Sequence, residues 1–155
     1  MGNGIRLKAL DPDDLKAISA CLQDAVIKVS DLAFIKNSHI FAFVGNRFCW
    51  ESDKIKRVGQ RVRVGCRFEN VIKTSSQNIP LNIDNHVLNL LSIHSEKKAD
   101  GSATIFLLFS GDASIKLEVE CIEAYLEDVS PPWLTKNIPS HNGNFKIPSD
   151  ESFEK

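Results

Sequence analysis

The chain lacks any apolar run approaching the roughly 18 residues that a membrane-crossing helix needs, so no spanning helix is expected. It also lacks paired metal ligands. His39, His86, His94 and His141 are scattered, and neither Cys-x-x-Cys nor His-Glu-x-x-His occurs. No phosphate cradle is present: Gly2-Asn3-Gly4 stands before a strand, whereas a dinucleotide fingerprint follows one. Neither a metal nor a cofactor is therefore expected. Cysteine is sparse. Cys21, Cys49, Cys66 and Cys121 lie far apart among apolar neighbours, the setting of buried reduced thiols rather than of a disulfide scaffold. The opening residues hold no apolar stretch of signal-peptide length, and the cytoplasm is the expected location. An excess of one charge is missing too. With 19 basic and 20 acidic side chains the net charge is −1, unlike a chain built to coat nucleic acid or an acidic membrane.

What remains is ordinary globular material: 155 residues, 43% hydrophobic and 25% charged. That length suits one domain and buries roughly two thirds of the unfolded surface, enough to fold without a staple. The domain is expected over residues 1–135. Residues 136–155 read as a polar, partly disordered tail whose few anchors are Phe145, Ile147 and Phe153.

Ile5 to Leu10 alternates apolar and basic residues, as a strand with one wet face does. Asp11 then caps a helix, Pro12 suits its first position, and Leu15, Ile18, Leu22 and Ala25 form one stripe, predicting a helix over about 12–24. Val26–Ile35 and Ile40–Val44 flank a turn at 36–39 and predict a hairpin. Gly45 predicts a bulge or bend before Arg47-Phe48-Cys49-Trp50. Arg61 to Phe68 alternates cleanly, with Val62, Val64, Cys66 and Phe68 inward and the arginines outward. Further strands are predicted near 87–93, 103–109 and 114–121, with a β-bulge at Cys121-Ile122 that brings Ala124 and Leu126 into phase. Pro131-Pro132-Trp133 is expected to end the sheet. The fold class is α+β: one N-terminal helix packed on a mostly antiparallel, meandering sheet that curls into a sandwich or barrel.

No residue set is proposed as catalytic. Ser95 and Lys98 have Ser-x-x-Lys spacing but lie in a polar turn, and Glu118 and Glu120 form the pattern of any wet strand face. The densest constellation is basic. Arg47, Arg57, Arg61, Arg63 and Arg67 crowd one region with Trp50, and arginine forks beside aromatic rings suit anions or a partner surface. The bland alternative is that the Glu118/Glu120 strand lies alongside and answers those charges.

Leu10-Asp11 with Asp14-Leu15, Leu22-Gln23-Asp24-Ala25, Asn46-Arg47-Phe48 with Trp50-Glu51, Leu117 to Ala124 with Leu126-Glu127-Asp128, and Pro132-Trp133 together resemble a family of small bacterial proteins of unknown function, number 2948. The resemblance spans about residues 5–135. It implies a stand-alone cytoplasmic protein and brings no activity or site residues with it.

The reading that results is a non-enzymatic cytoplasmic binding or protein-interaction module, its partner another protein or a second copy of the chain. Two alternatives stand beside it. One is an enzyme with a site near Gln23, Asp24, Asn46 and Arg47; the other is a nucleic-acid or anion binder through the Arg61/Arg63/Arg67 face.

Overall fold

The computed structural model describes residues 4–49, 59–131 and 133–135; Trp50, Arg57 and the tail expected at 136–155 lie outside the described residues. Strand β1 (Arg6–Ala9) leads into helix α1 (Pro12–Cys21). The Asp11 side chain accepts the Asp14 N–H at 2.8 Å, Pro12 needs no donor there, and Asp13 and Asp14 favour the positive end of the helix dipole. The helix ends earlier than its apolar stripe suggested. Asp24 takes a left-handed φ of 67° and gives its N–H to the carbonyl of Leu90, so the last turn is spent on reaching the sheet. Leu15, Ile18 and Leu22 are buried as the stripe predicts.

Among the described residues ten further strands follow: β2 (Val26–Lys28), β3 (Leu32–Ile35), β4 (Ile40–Phe48), β5 (Gly59–Phe68), β6 (Val71–Gln77), β7 (Val87–Lys97), β8 (Ala103–Phe109), β9 (Ala113–Val119), β10 (Ala124–Asp128) and β11 (Trp133–Thr135). All pairings are antiparallel, in the order β1-β10-β5-β4-β2-β7-β8-β9-β6, with β3 on β4 and β11 on β5. The sheet is open and curled around β2, which joins two arms. One core fills the curl. Phe41, Phe43, Val64 and Phe68 of the first arm share it with Leu90, Ile105, Leu107 and Leu117 of the second. Helix α1 packs on β7 and β1, and the Ser19 hydroxyl accepts the Ile93 N–H at 2.9 Å where β7 shifts register.

Several local expectations change. Val26–Ile35 is not one strand, because a 3-10 turn at Val29–Asp31 divides it and hands Val29 and Ser30 N–H groups to His86 and Asp84. Val71 begins β6, a strand of the other arm that the sequence left unassigned. At Cys121-Ile122 there is a crossover, not a bulge: β9 pairs β8 and β6, and β10 joins the opposite arm beside β5. The hairpins are therefore not all sequential. Pairing also resumes after Pro131-Pro132, with Trp133 opposite Arg61. Pro131 sits in a break between β10 and β11, where the Ser130 hydroxyl takes the Arg63 N–H at 3.0 Å in place of a ladder partner.

Gly45 makes no bulge in the register with β5. Its missing side chain serves a close approach, since a Cβ there would lie 2.8 Å from the Val26 carbonyl oxygen and from Ile27 Cγ1. Among the cysteines, Cys49 and Cys66 are buried and Cys21 partly so, but Cys121 is exposed at the crossover and accepts a hydrogen bond from Asn70 Nδ2. Burial pushes the Cys66 thiol well up.

Two tests follow from this packing. Leu22→Ala is expected to cost about 2–5 kcal/mol in urea unfolding, and Gly45→Ala about 1–3 kcal/mol through overpacking; wild-type midpoints would refute the packing. Iodoacetamide on the native protein is expected to modify Cys121 first and Cys66 only on unfolding, read by peptide mass mapping. Equal rates at the two thiols would contradict the burial.

Candidate functional site

Strand β5 organises the first arm because its side chains alternate between two environments. Val62, Val64, Cys66 and Phe68 face the core. Arg61, Arg63, Gly65 and Arg67 take the other face, as the alternation predicts.

On the core face a charged pair crosses β5. Arg47 of β4 lies opposite Val62, and Asp128 of β10 lies opposite Val64. The Arg47 guanidinium grips the Asp128 carboxylate with both prongs, Nε to Oδ1 at 2.8 Å and Nη2 to Oδ2 at 2.7 Å. The side chains are 1% and 4% exposed. Asp128 Oδ2 also accepts the Ile5 N–H at 2.9 Å, and the Asp128 N–H goes to the Ile5 carbonyl. One carboxylate thus ties β4, β10 and the start of β1. Arg47 is a strut here, turned away from solvent.

Arg61 is also buried, contrary to the exposed position expected of it. Its Nη1 donates to the Asn46 carbonyl at 3.2 Å and its guanidinium lies 5.9 Å from the centre of the Phe48 ring. Burial lowers its pKa to about 10, with the fields of Asp24 and Cys49 opposing the shift, so the group stays protonated at neutral pH. Of the set Gln23, Asp24, Asn46 and Arg47, the fold therefore brings Asp24 and Asn46 to Arg61 and puts Arg47 on the opposite side of the sheet. Asn46, Arg47 and Arg61 are each at most 1% exposed, whereas Gln23 and Asp24 are half-buried.

The expected pairing with the Glu118 strand does not form. β9 belongs to the second arm, where Glu118 accepts from Thr104 at 2.9 Å and lies near Lys98 and Lys116; these partners hold its carboxyl below the usual range. The arginine face is answered from nearer by. Arg67 bonds Glu69 at 2.5 Å and stacks 4.3 Å above the centre of the Tyr125 ring. Tyr125 gives its hydroxyl proton to Glu123 at 2.6 Å, which lowers the Glu123 pKa and raises its own.

This outer face is a grid. Arg6, Glu127, Gly65 and Val44 stand in one row, and Lys8, Tyr125, Arg67 and Ala42 in the next. Arg6 meets Glu127 at 3.5 Å. In the middle the sheet is hollow: a concave space of about 570 Å³ is walled by Arg6, Lys8, Arg67, Tyr125 and Val129 over Ala42, Val44 and Gly65. Gly65 is the residue that sequence reasoning passed over. It stands alone inside a cleanly alternating strand, which was the available signal. A Cβ there would meet only Val129 Cγ1, at 3.9 Å, among the described residues. Among the described residues no group of histidine, cysteine or carboxylate side chains is placed to hold a metal. No helix among them is long and apolar enough to cross a membrane.

The buried pair makes a sharp prediction. Asp128→Asn is expected to cost about 3–5 kcal/mol because it strands the Arg47 charge, while Arg47→Met with Asp128→Leu recovers most of that loss. Urea unfolding of the single and double variants measures it, and a single variant as stable as wild type would refute the strut.

No curated protein and no solved structure matches the chain. A family model described as a protein of unknown function, DUF2948, matches residues 5–141, which takes in β1 to β11 with α1, the Arg47–Asp128 strut and the hollow around Gly65. By that match the chain belongs to the DUF2948 family.

Proposed function

We propose that the chain is a non-enzymatic cytoplasmic binding module, one domain over residues 1–135, which docks a polypeptide partner on the outer face of β1, β10, β5 and β4. The observation that carries this reading is Gly65. A glycine inside a strand costs about 0.5–1 kcal/mol relative to alanine. Gly45 repays that cost by letting β2 come close, but Gly65 has no positive φ, and among the described residues a Cβ there would meet Val129 Cγ1 alone, at an ordinary contact distance that does not exclude a side chain. A strand glycine with open space above it suits a place where another backbone or a ligand approaches the sheet. The surroundings fit a polypeptide better than a nucleic acid. Arg61 is buried, Arg67 is held by Glu69, and Glu127 stands beside the hollow, so the described residues offer phosphates no continuous track of cations. Tyr125 presents a rigid ring at the rim, as interface anchors do.

The test fills the hollow without disturbing the fold. Gly65→Leu has room for its Cβ and is expected to melt within a few degrees of wild type. A photo-crosslinking residue at Lys8, on the rim, is expected to capture a protein partner in cells of the source organism, and the adduct is expected to vanish in the Gly65→Leu background. The same probe at Lys73, on the exposed edge of the other arm, is the control. Adducts that survive Gly65→Leu, or that form equally at Lys73, would overturn the reading.

A further inference from the structure

The cations that wall the hollow are each answered already. Arg6 meets Glu127 at 3.5 Å, Arg67 bonds Glu69, and Lys8 lies in the field of Glu123. A charged occupant would meet the opposing charge of each pair as closely as the matching one. The floor beneath is small and apolar: Ala42, Val44 and Gly65, with Val129 alongside. A neutralised rim over such a floor is complemented by an uncharged side chain.

The placement of Arg67 narrows that chemistry. Tyr125, Arg67, Ala42 and Ala33 stand in one cross-strand row over β10, β5, β4 and β3. On one side the Arg67 guanidinium lies over the Tyr125 ring, 4.3 Å from its centre, and that ring is held by the hydrogen bond from its hydroxyl to Glu123. On the other side are alanines, whose side chains are too short to cover a guanidinium. The Arg67 side chain is accordingly still 50% exposed. A guanidinium is planar and stacks on aromatic rings through either face. Among the described residues Tyr125 is the ring it touches, so one face remains open toward the low ground of Ala42, Val44 and Gly65.

We infer that an uncharged aromatic side chain of the partner seats there, its ring against the open face of Arg67 and over Ala42 and Gly65, completing a stack of Tyr125, Arg67 and the partner's ring. This rests on the reading of the hollow as a binding site and gives that site its specificity. The negative face of a ring attracts the guanidinium as an aliphatic side chain cannot, and tryptophan attracts it most. Because the occupant brings no net charge, its binding is insensitive to salt.

The experiment uses the full chain and three small probes. N-acetyl-tryptophanamide offers an uncharged ring, N-acetyl-leucinamide an uncharged aliphatic side chain, and inorganic phosphate an anion. Each is titrated while the backbone amide resonances are followed. The tryptophan amide is expected to move Ala42, Gly65, Arg67 and Tyr125 together, with one affinity at low and at high salt, at least about threefold tighter than the leucine amide. Arg67→Lys keeps the charge but loses the plane, and is expected to bring the two amides to equal affinity. Ala42→Leu fills the seat and is expected to abolish the shifts in a chain that still melts cooperatively. Equal binding of both amides to the wild-type chain, shifts that persist in Ala42→Leu, phosphate moving the same resonances, or no shifts at all would each overturn the aromatic specificity. The Lys8 photo-adduct separates that failure from a failure of the hollow itself. Adducts still lost in Gly65→Leu would leave the docking site standing with another occupant, whereas adducts indifferent to Gly65→Leu would remove the site.

Discussion

A carboxylate buried beside a guanidinium holds the first arm together. Asp128 is taken out of water into the core side of a sheet, a transfer that costs several kcal/mol for each ion unless geometry and hydrogen bonds compensate. Here both oxygens are occupied, by the two prongs of Arg47 and by the Ile5 N–H. The pair spans β5 diagonally, so it can form only in one register of β4 and β10 against that strand. Hydrophobic side chains on the same face tolerate small slips; this contact does not. It is therefore best understood as a register lock. The twofold alternation of β5 then places Arg61, Arg63, Gly65 and Arg67 together on the opposite face.

That opposite face is built on short-range neutralisation. Arg67 is flanked by Glu69 along its own strand end and by Tyr125 across the ladder, and Arg6 by Glu127. Exposed pairs of this kind contribute about 0–1 kcal/mol each, so their value lies less in stability than in leaving little net field over most of the surface. Against so level a background the gap at Gly65 becomes the distinctive feature.

Much of the local structure was legible in the residues. The Asp11 cap, the Leu15/Ile18/Leu22 stripe, the alternation of β5 and the turn at 36–39 each report contacts made within a few positions along the chain. What periodicity does not carry is which strand lies beside which. Ile122, Ala124 and Leu126 were in phase and are buried, yet the change of phase at Cys121 marks a move to the other arm. The same blindness assigned the arginines to Glu118, when Arg67 finds Glu69 and Tyr125 close by and Arg61 the Asn46 carbonyl and the Phe48 ring. Arg61 was taken as a surface group because long cations are seldom fully buried. Gly65 was visible as a break in an otherwise regular strand, but its meaning depends on the empty space above it, and only the folded sheet displays that.

The pairing of β1 with β10 joins Arg6 to Glu127 and Ala9 to Ala124, among the most distant partners in the chain. A ribosome adding about 5–20 residues per second exposes the first strand for several seconds before its partner is made. Until then Ile5 has nowhere to place its N–H, α1 has only part of its packing surface, and β5 waits with one edge unpaired. Loops of this length are slow to close, and sheets dominated by such contacts fold in milliseconds to seconds. The arrival of Asp128 is thus a late step of assembly, which at once completes the ion pair, captures the first strand and covers residues 64–68 of β5, leaving residues 59–61 for β11. Before that arrival the nascent chain carries open β edges, and it is in this interval that it is most exposed to aggregation.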